Sequence, residues 1–150
     1  MFEDLAVSMI MNSEPIFIHQ DRSVEEVFRM VIDNKLNGIP VVDDNQHVVG
    51  VITQGDLLLK AINSPLFSLW RHGVYDSSEE MLKEYIKINS TKADEIMTKP
   101  PICIHEDEMV SRAAELMYKN KIKQLPVLRD SNLIGIISRF DIIKHIFIKK

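Results

Sequence analysis

This chain repeats itself, and the repeat decides what it can fold into. Shifted by 86 residues, Ile10-Met11 falls on Ile96-Met97, Pro15-Ile16 on Pro101-Ile102, and Ile18-His19 on Ile104-His105. The same shift pairs Asp21 with Asp107, Val24 with Val110, Asn34-Lys35 with Asn120-Lys121, and Pro40-Val41 with Pro126-Val127. After a polar turn, DDNQH in one copy and RDSN in the other, the shift drops to 85. Gly50, Ile52 and Asp56 then fall on Gly135, Ile137 and Asp141. Ordered matches with a single one-residue gap inside a turn mean a duplicated unit of about fifty residues.

Each unit reads as strand, helix, strand, strand, helix. A short apolar run (IFIH, ICIH) predicts the first strand. Ser23-Val-Glu-Glu26 has the form of a capping box, and apolar residues at 24, 27, 28, 31 and 32 follow at helical spacing. In the second copy Val110, Ala113, Ala114 and Met117 repeat that stripe. The pairs IPVV with VVGVIT and LPVL with LIGIIS predict two hairpin-like strand pairs, and a helix is expected after Thr53 and after Ser138. One unit is too small to bury its own sheet well, so the two are expected to pack face to face. The predicted class is therefore α/β (α+β), with repeats at residues 1–61 and 96–150. The insert at 62–95 opens on Asn63-Ser64-Pro65, a helix stop, and carries Phe67, Trp70 and Tyr75. It closes with an amphipathic helix expected from Ser78 to Ile88. Its aromatics read as cover for a sheet edge or a dimer seam ahead of a surface for another partner.

Composition narrows the function. A formal charge of −4 provides no basic field for phosphate backbones, which sets nucleic acid aside, and Lys119, Lys121 and Lys123 read as a solvated helix end. No apolar run is long enough to span a membrane and no leader pattern precedes the first repeat, so the expected location is cytoplasmic. The single cysteine, Cys103, lies in an apolar run and reads as a buried thiol, with no disulfide. His19 and His105 are repeat equivalents but lack carboxylates or cysteines at ligand spacing, so no metal is expected. His47, His72 and His145 read as surface residues.

The feature left over is Thr53-Gln-Gly-Asp56 and its twin Ser138-Arg-Phe-Asp141, each at a strand-to-helix junction. One reading is a pair of helix caps, hydroxyl at N-cap and carboxylate at N3. The other is a nucleoside phosphate site. A helix start with a hydroxyl suits a phosphate, and a carboxylate one turn in can accept both hydrogens of a ribose cis-diol.

The doubled pattern, apolar-Pro-Val-apolar, polar turn, Gly-apolar-apolar-Ser/Thr-x-x-Asp, resembles the CBS domain, named after cystathionine β-synthase. The residues that carry the likeness are Gly38 to Val42 with Gly50 to Asp56, Gln124 to Leu128 with Gly135 to Asp141, and the opening Ile96-Met97-Thr98-Lys99-Pro100-Pro101. The resemblance implies a CBS pair (Bateman module) that commonly forms a homodimer. It also implies clefts for AMP, ADP, ATP or S-adenosylmethionine as a regulatory ligand, with no required cofactor. Carried over, Asp56 and Asp141 would hold ribose, Thr53 and Ser138 phosphate, and Arg139 a further phosphate oxygen. The base would lie against Ile16, Leu36, Asn37 and Gly38 in one copy, and against Ile102, Ile122 and Lys123 in the other. Family geometry would join these residues of one repeat to the Ser/Thr-x-x-Asp of the other. Gln54 and Gln124 replace Arg139 and Gly38 at the matching positions, so the two clefts are expected to differ. The function expected is a non-enzymatic nucleotide sensor that signals to an unidentified effector protein or through its dimer. The alternative is a ligand-independent dimeric scaffold whose twin motifs only cap helices. No nucleophile, base and metal set for an enzyme appears.

Overall fold

A computed structural model of the chain describes residues 4–62 and 90–148. The insert's Phe67, Trp70, His72 and Tyr75, and the helix expected over 78–88, lie outside the described residues. Repeat 1 contains β1 (Ile18–His19), α1 (Val24–Asn34), β2 (Gly38–Val42), β3 (Val48–Thr53) and α2 (Gln54–Ile62). Ala93–Ile96 forms a short helix, α3. Repeat 2 contains β4 (Ile104–His105), α4 (Val110–Asn120), β5 (Gln124–Arg129), β6 (Asn132–Ser138) and α5 (Arg139–Ile148). The strand order is β1-β2-β3 in one sheet and β4-β5-β6 in the other. β4 runs parallel to β5, and β5 antiparallel to β6 with a register shift at Val127/Leu128.

The expected elements are present, with the first strand of each repeat only two residues long. α1 starts where Ser23 caps it, the Ser23 hydroxyl accepting from the Glu26 N–H at 3.3 Å. The Glu26 carboxylate turns to Arg22, 3.6 Å away. Val24, Val27 and Val31 are buried and Phe28 half-buried, but Ile32 is 68% exposed because it lies farthest round the helix from Val24. In α4 the stripe is narrower still: Val110, Ala113 and Met117 are buried and Ala114 is exposed. Both helices stop on a lysine in the left-handed region, Lys35 (φ 52°) and Lys121 (φ 53°). Leu36 and Ile122 then donate back to the Val31 and Met117 carbonyls, both at 3.0 Å, which aims the chain into β2 and β5.

The chain divides into two compact units that do not coincide with the repeats. One takes its described residues from Met1–Phe17, Val42–Val48 and Pro100–Lys150, the other from Ile18–Val41 and Val49–Lys99. The lead-in segments have thus been exchanged. In the first unit, Val7 of repeat 1 is fully buried in the core of repeat 2, with Ile104, Val110, Met117, Leu125 and Ile137. Its N–H donates to the Glu108 carbonyl at 2.8 Å, and that of Ser8 to the Glu106 carbonyl at 3.1 Å. The second unit repeats this bond for bond, shifted by 86: Ala93 N–H to the Arg22 carbonyl at 2.8 Å, Asp94 N–H to the Gln20 carbonyl at 3.1 Å. Ala93 is fully buried there, although it falls in the stretch expected to be insert.

The exchange explains the paired glycines. Each lead-in forms a two-bond antiparallel bridge with the last strand of its unit, Asn12 with Ile136 and Thr98 with Val51. The methionine just before each bridge lies on a glycine. A Cβ at Gly50 would stand 2.4 Å from Met97 Sδ, and one at Gly135 would stand 2.6 Å from Met11 Sδ and 2.9 Å from the Asn12 carbonyl oxygen. Ile-Met and Gly recur in both copies because each pair is one contact.

Candidate functional site

Thr53 and Ser138 end β3 and β6, and the next residue opens a helix. There the side chains lock to each other. The Thr53 N–H and hydroxyl both donate to Asp56 Oδ2, at 2.9 and 3.0 Å, and the Asp56 N–H donates to Thr53 Oγ1 at 3.2 Å. Ser138 and Asp141 make the same three bonds at 2.7, 2.7 and 3.1 Å. Both motifs are therefore reciprocal caps, as the helix-start reading requires. The cap also fixes each carboxylate, half-buried, in one orientation at a helix N-terminus, and it takes up the N–H of the hydroxyl residue and of the aspartate in doing so.

The residue after each hydroxyl reaches back to the same place in its own repeat. Gln54 donates through its N–H to the Asn37 carbonyl at 3.2 Å and through Nε2 to the Leu36 carbonyl at 2.8 Å. Arg139 donates through its N–H to the Lys123 carbonyl and through Nε to the Ile122 carbonyl, both at 3.0 Å. The two side chains do the same structural work. The difference is that the guanidinium carries a charge and further donors, while the amide is neutral. Arg139 and Lys121 also border a 690 Å³ cavity between α4 and α5, with Met117, Tyr118 and Ile143. In repeat 1 the matching cations are reduced to Lys35.

The predicted residues fall into two groups. Thr53, Asp56, Leu36, Asn37 and Gly38 belong to one unit; Ser138, Arg139, Asp141, Ile102, Ile122, Lys123 and Ile16 belong to the other. Only Ile16 joins the Ser/Thr-x-x-Asp of the opposite repeat within a unit. The hydrogen bonds to the stretch before Pro-Val run within each repeat instead. Gly38 is buried, and its counterpart Gln124 is half-buried. Thr98 is a residue that sequence reasoning left out: its hydroxyl lies 3.4 and 3.3 Å from Asp56 Oδ1 and Oδ2. The signal was available in the repeat, where Thr98 pairs with Asn12.

The remaining candidates have structural explanations. His19 Nδ1 accepts from the Asp21 N–H at 3.2 Å and His105 Nδ1 from the Asp107 N–H at 3.4 Å, so each ring closes a local turn. Among the described residues no cluster of three or more His, Cys, Asp or Glu could hold a metal ion. His47 is exposed, whereas His145, expected at the surface, is half-buried because it follows Ile142 by three residues on α5. Burial pushes the Cys103 thiol up to about 11, which keeps it protonated and a weak nucleophile near neutrality.

Comparison with known proteins gives a consistent picture. The family model of the CBS domain matches residues 7–63 and again 93–148. An uncharacterized protein of Methanocaldococcus jannaschii is 33% identical over 143 residues, covering 87% of this chain and 85% of its own. Inosine-5'-monophosphate dehydrogenase of the same organism is 32% identical, but the match spans only 21% of that enzyme. Among solved structures, the CBS domain pair of protein MJ0100, in complex with 5'-methylthioadenosine and S-adenosyl-L-methionine, is 28% identical. It superposes with a TM-score of 0.73 over 97% of this chain and 98% of that one. CBSX2 in complex with AMP is 25% identical, with a TM-score of 0.75 over 97% and 99%.

Proposed function

From the premise that this chain belongs to the CBS domain family, with two copies of the domain, we propose that it is a non-enzymatic regulatory module that binds an adenosine nucleotide. The observation that carries the reading is the helix start of α5. Ser138 holds Asp141 through Oδ2, and Arg139 stands next to it, its guanidinium bonded to the backbone of the described residues through Nε alone. In this reading Asp141 accepts the ribose hydroxyls, while Ser138, the helix N-terminus and Arg139 receive phosphate. Ile102, Ile122 and Ile16 offer the base an apolar wall, and Lys123 adds charge. Asp56 and Thr53 form the second and weaker site, beside Leu36, Asn37 and Gly38. Two similar structures that hold AMP, or S-adenosyl-L-methionine with methylthioadenosine, support an adenosine ligand.

The ligand's effect passes to an effector protein or through a homodimer. Tyr118, Phe140, Ile143 and Phe147 are exposed on α4 and α5 and support self-association. No helix among the described residues is long and apolar enough to cross a membrane, which supports action in the cytoplasm. The scaffold alternative draws on the same reciprocal caps, which need no ligand. Isothermal titration with AMP, ADP, ATP and S-adenosylmethionine separates the two. The sensor reading expects micromolar binding that Asp141→Ala weakens at least about tenfold, the loss of one or two hydrogen bonds to a carboxylate. Silence across the panel from folded protein leaves the scaffold.

A further inference from the structure

The two aspartates are not equally available. Asp141 Oδ2 accepts two hydrogen bonds from Ser138, and among the described residues Oδ1 accepts none. Asp56 Oδ2 accepts the same two from Thr53, and in addition the Thr98 hydroxyl stands 3.3 Å from Oδ2 and 3.4 Å from Oδ1. Thr98 is pinned there by its backbone. Its N–H donates to the Val51 carbonyl at 2.9 Å and its carbonyl accepts from the Val51 N–H at 3.1 Å. The repeat-2 counterpart, Asn12, is pinned to Ile136 in the same way, at 2.8 and 2.9 Å. Its side chain points elsewhere, with Oδ1 accepting from the Glu14 N–H at 3.0 Å.

A ribose cis-diol brings two O–H donors and needs two open acceptor positions on one carboxylate. A carboxylate has about four such positions, of which the cap uses two. In repeat 2 the other two are open among the described residues. In repeat 1 the Thr98 hydroxyl, with one hydrogen to give, stands beside them and leaves too few for both O–H groups of the diol. We propose that Thr98 is the residue that ranks the two sites: its hydroxyl occupies the ribose position on Asp56, so adenosine binds first at Asp141 and reaches Asp56 only by displacing Thr98. This rests on the nucleotide reading above and adds an order of filling to it. Because Thr98 is exposed and the displaced bond is long, the handicap is a single weak hydrogen bond, about five- to tenfold in affinity.

Titration with AMP tests this in an Asp141→Ala background, where only repeat 1 reports. Thr98→Val, which keeps the shape and removes the donor, should tighten that residual binding about five- to tenfold. Thr98→Ser, which keeps the donor, should leave it weak, and in the otherwise unchanged chain Thr98→Val should raise the resolved stoichiometry from one site toward two. Circular dichroism melts establish that each variant is folded. Affinity that stays the same or falls with Thr98→Val, including no binding in either background, overturns the role of Thr98. If the unaltered chain binds AMP while Thr98→Val fails, the nucleotide reading survives and only the ranking is lost. If the unaltered chain binds no AMP, ADP, ATP or S-adenosylmethionine, both fall.

Discussion

Repeat 1 and repeat 2 agree wherever the backbone must be held and differ wherever a ligand could be read. The reciprocal Ser/Thr–Asp caps, the lysine stops at Lys35 and Lys121, and the lead-in bonds to the Arg22 and Glu108 carbonyls recur in both, the caps within 0.3 Å and the lead-in bonds at the same 2.8 Å. Around those fixtures Gln54 stands for Arg139, Thr98 for Asn12 and Gly38 for Gln124. A duplicated fold has kept the parts that each copy needs for the other, while the side chains around the two aspartates differ. Repeat 2 places Arg139 beside its aspartate, where repeat 1 has the neutral Gln54. In repeat 1 the Thr98 hydroxyl lies against Asp56 instead.

The exchanged lead-ins offer the largest test of that agreement. At Gly50 the nearest atoms that an added Cβ meets are those of the Met97 side chain, whose Sδ and Cγ can swing aside while its Cβ, at 3.0 Å, just clears. At Gly135 the added Cβ also meets the Asn12 carbonyl, which the bridge to Ile136 holds in place. Gly135→Ala should therefore cost about 3 kcal/mol and Gly50→Ala about 1 kcal/mol, read from urea denaturation. Adding Met97→Ala should relieve the clash at Gly50, whereas adding Met11→Ala should leave most of the loss at Gly135. Equal costs at the two glycines would mean that the bridges are not equally rigid supports.

A second comparison concerns helix starts. α1 has Ser23 at its N-cap and Glu25 and Glu26 in its first turn, while α4 begins on Met109, which makes no side-chain cap and is partly exposed. Met109 already has the extended backbone that a cap residue needs, φ −75° and ψ 146°. Met109→Ser should therefore stabilise the protein by about 1 kcal/mol, and Ser23→Ala should destabilise it by a similar amount. Thermal melts of both variants read the pair. No gain from Met109→Ser would show that the methionine side chain contributes packing that offsets the missing cap.

How much of this was legible in sequence follows from what periodicity can carry. The repeat, the strand-helix-strand-strand-helix order, both caps and their aspartates were readable because each depends on residues close in the chain. The exchange was not. Ile10-Met11 and Gly135 both stand out in the repeat, but nothing local says that they touch, because a lead-in's own sequence does not record whose sheet edge it joins. Ala93 was assigned to the insert for the same reason: one buried alanine in a polar stretch carries no periodic signal. Thr98 escaped because it reaches Asp56 only through that exchange. Arg139 was readable as a charge but not as the structural twin of Gln54, since the shared hydrogen bond to a backbone carbonyl leaves no trace in residue type.

The smallest expected effect comes from an ion pair that repeat 2 has alone. Arg129 donates to Glu106 through Nε and, at 2.8 Å, through Nη2; the repeat-1 counterparts are Asp43 and Gln20, which cannot pair. The hydrogen bond from Arg129 holds the Glu106 carboxyl below its ordinary value of 4.5, and the attraction of that guanidinium acts in the same direction. A carboxyl depressed in the folded state contributes stability that is present above its unfolded value and disappears as pH falls through the folded one. Glu106→Gln should therefore lower the melting temperature slightly at pH 7, with the difference shrinking below about pH 4.5 and vanishing in stronger acid. Because Arg129 is largely exposed, about 1 M salt should remove most of the difference at pH 7 as well. Gln20→Ala should alter neither the acid limb nor the salt dependence. A Glu106→Gln deficit that persists unchanged at pH 3 would mean that the side chain works by packing, and the electrostatic distinction between the two repeats would then rest on Arg139 and the lysines of repeat 2.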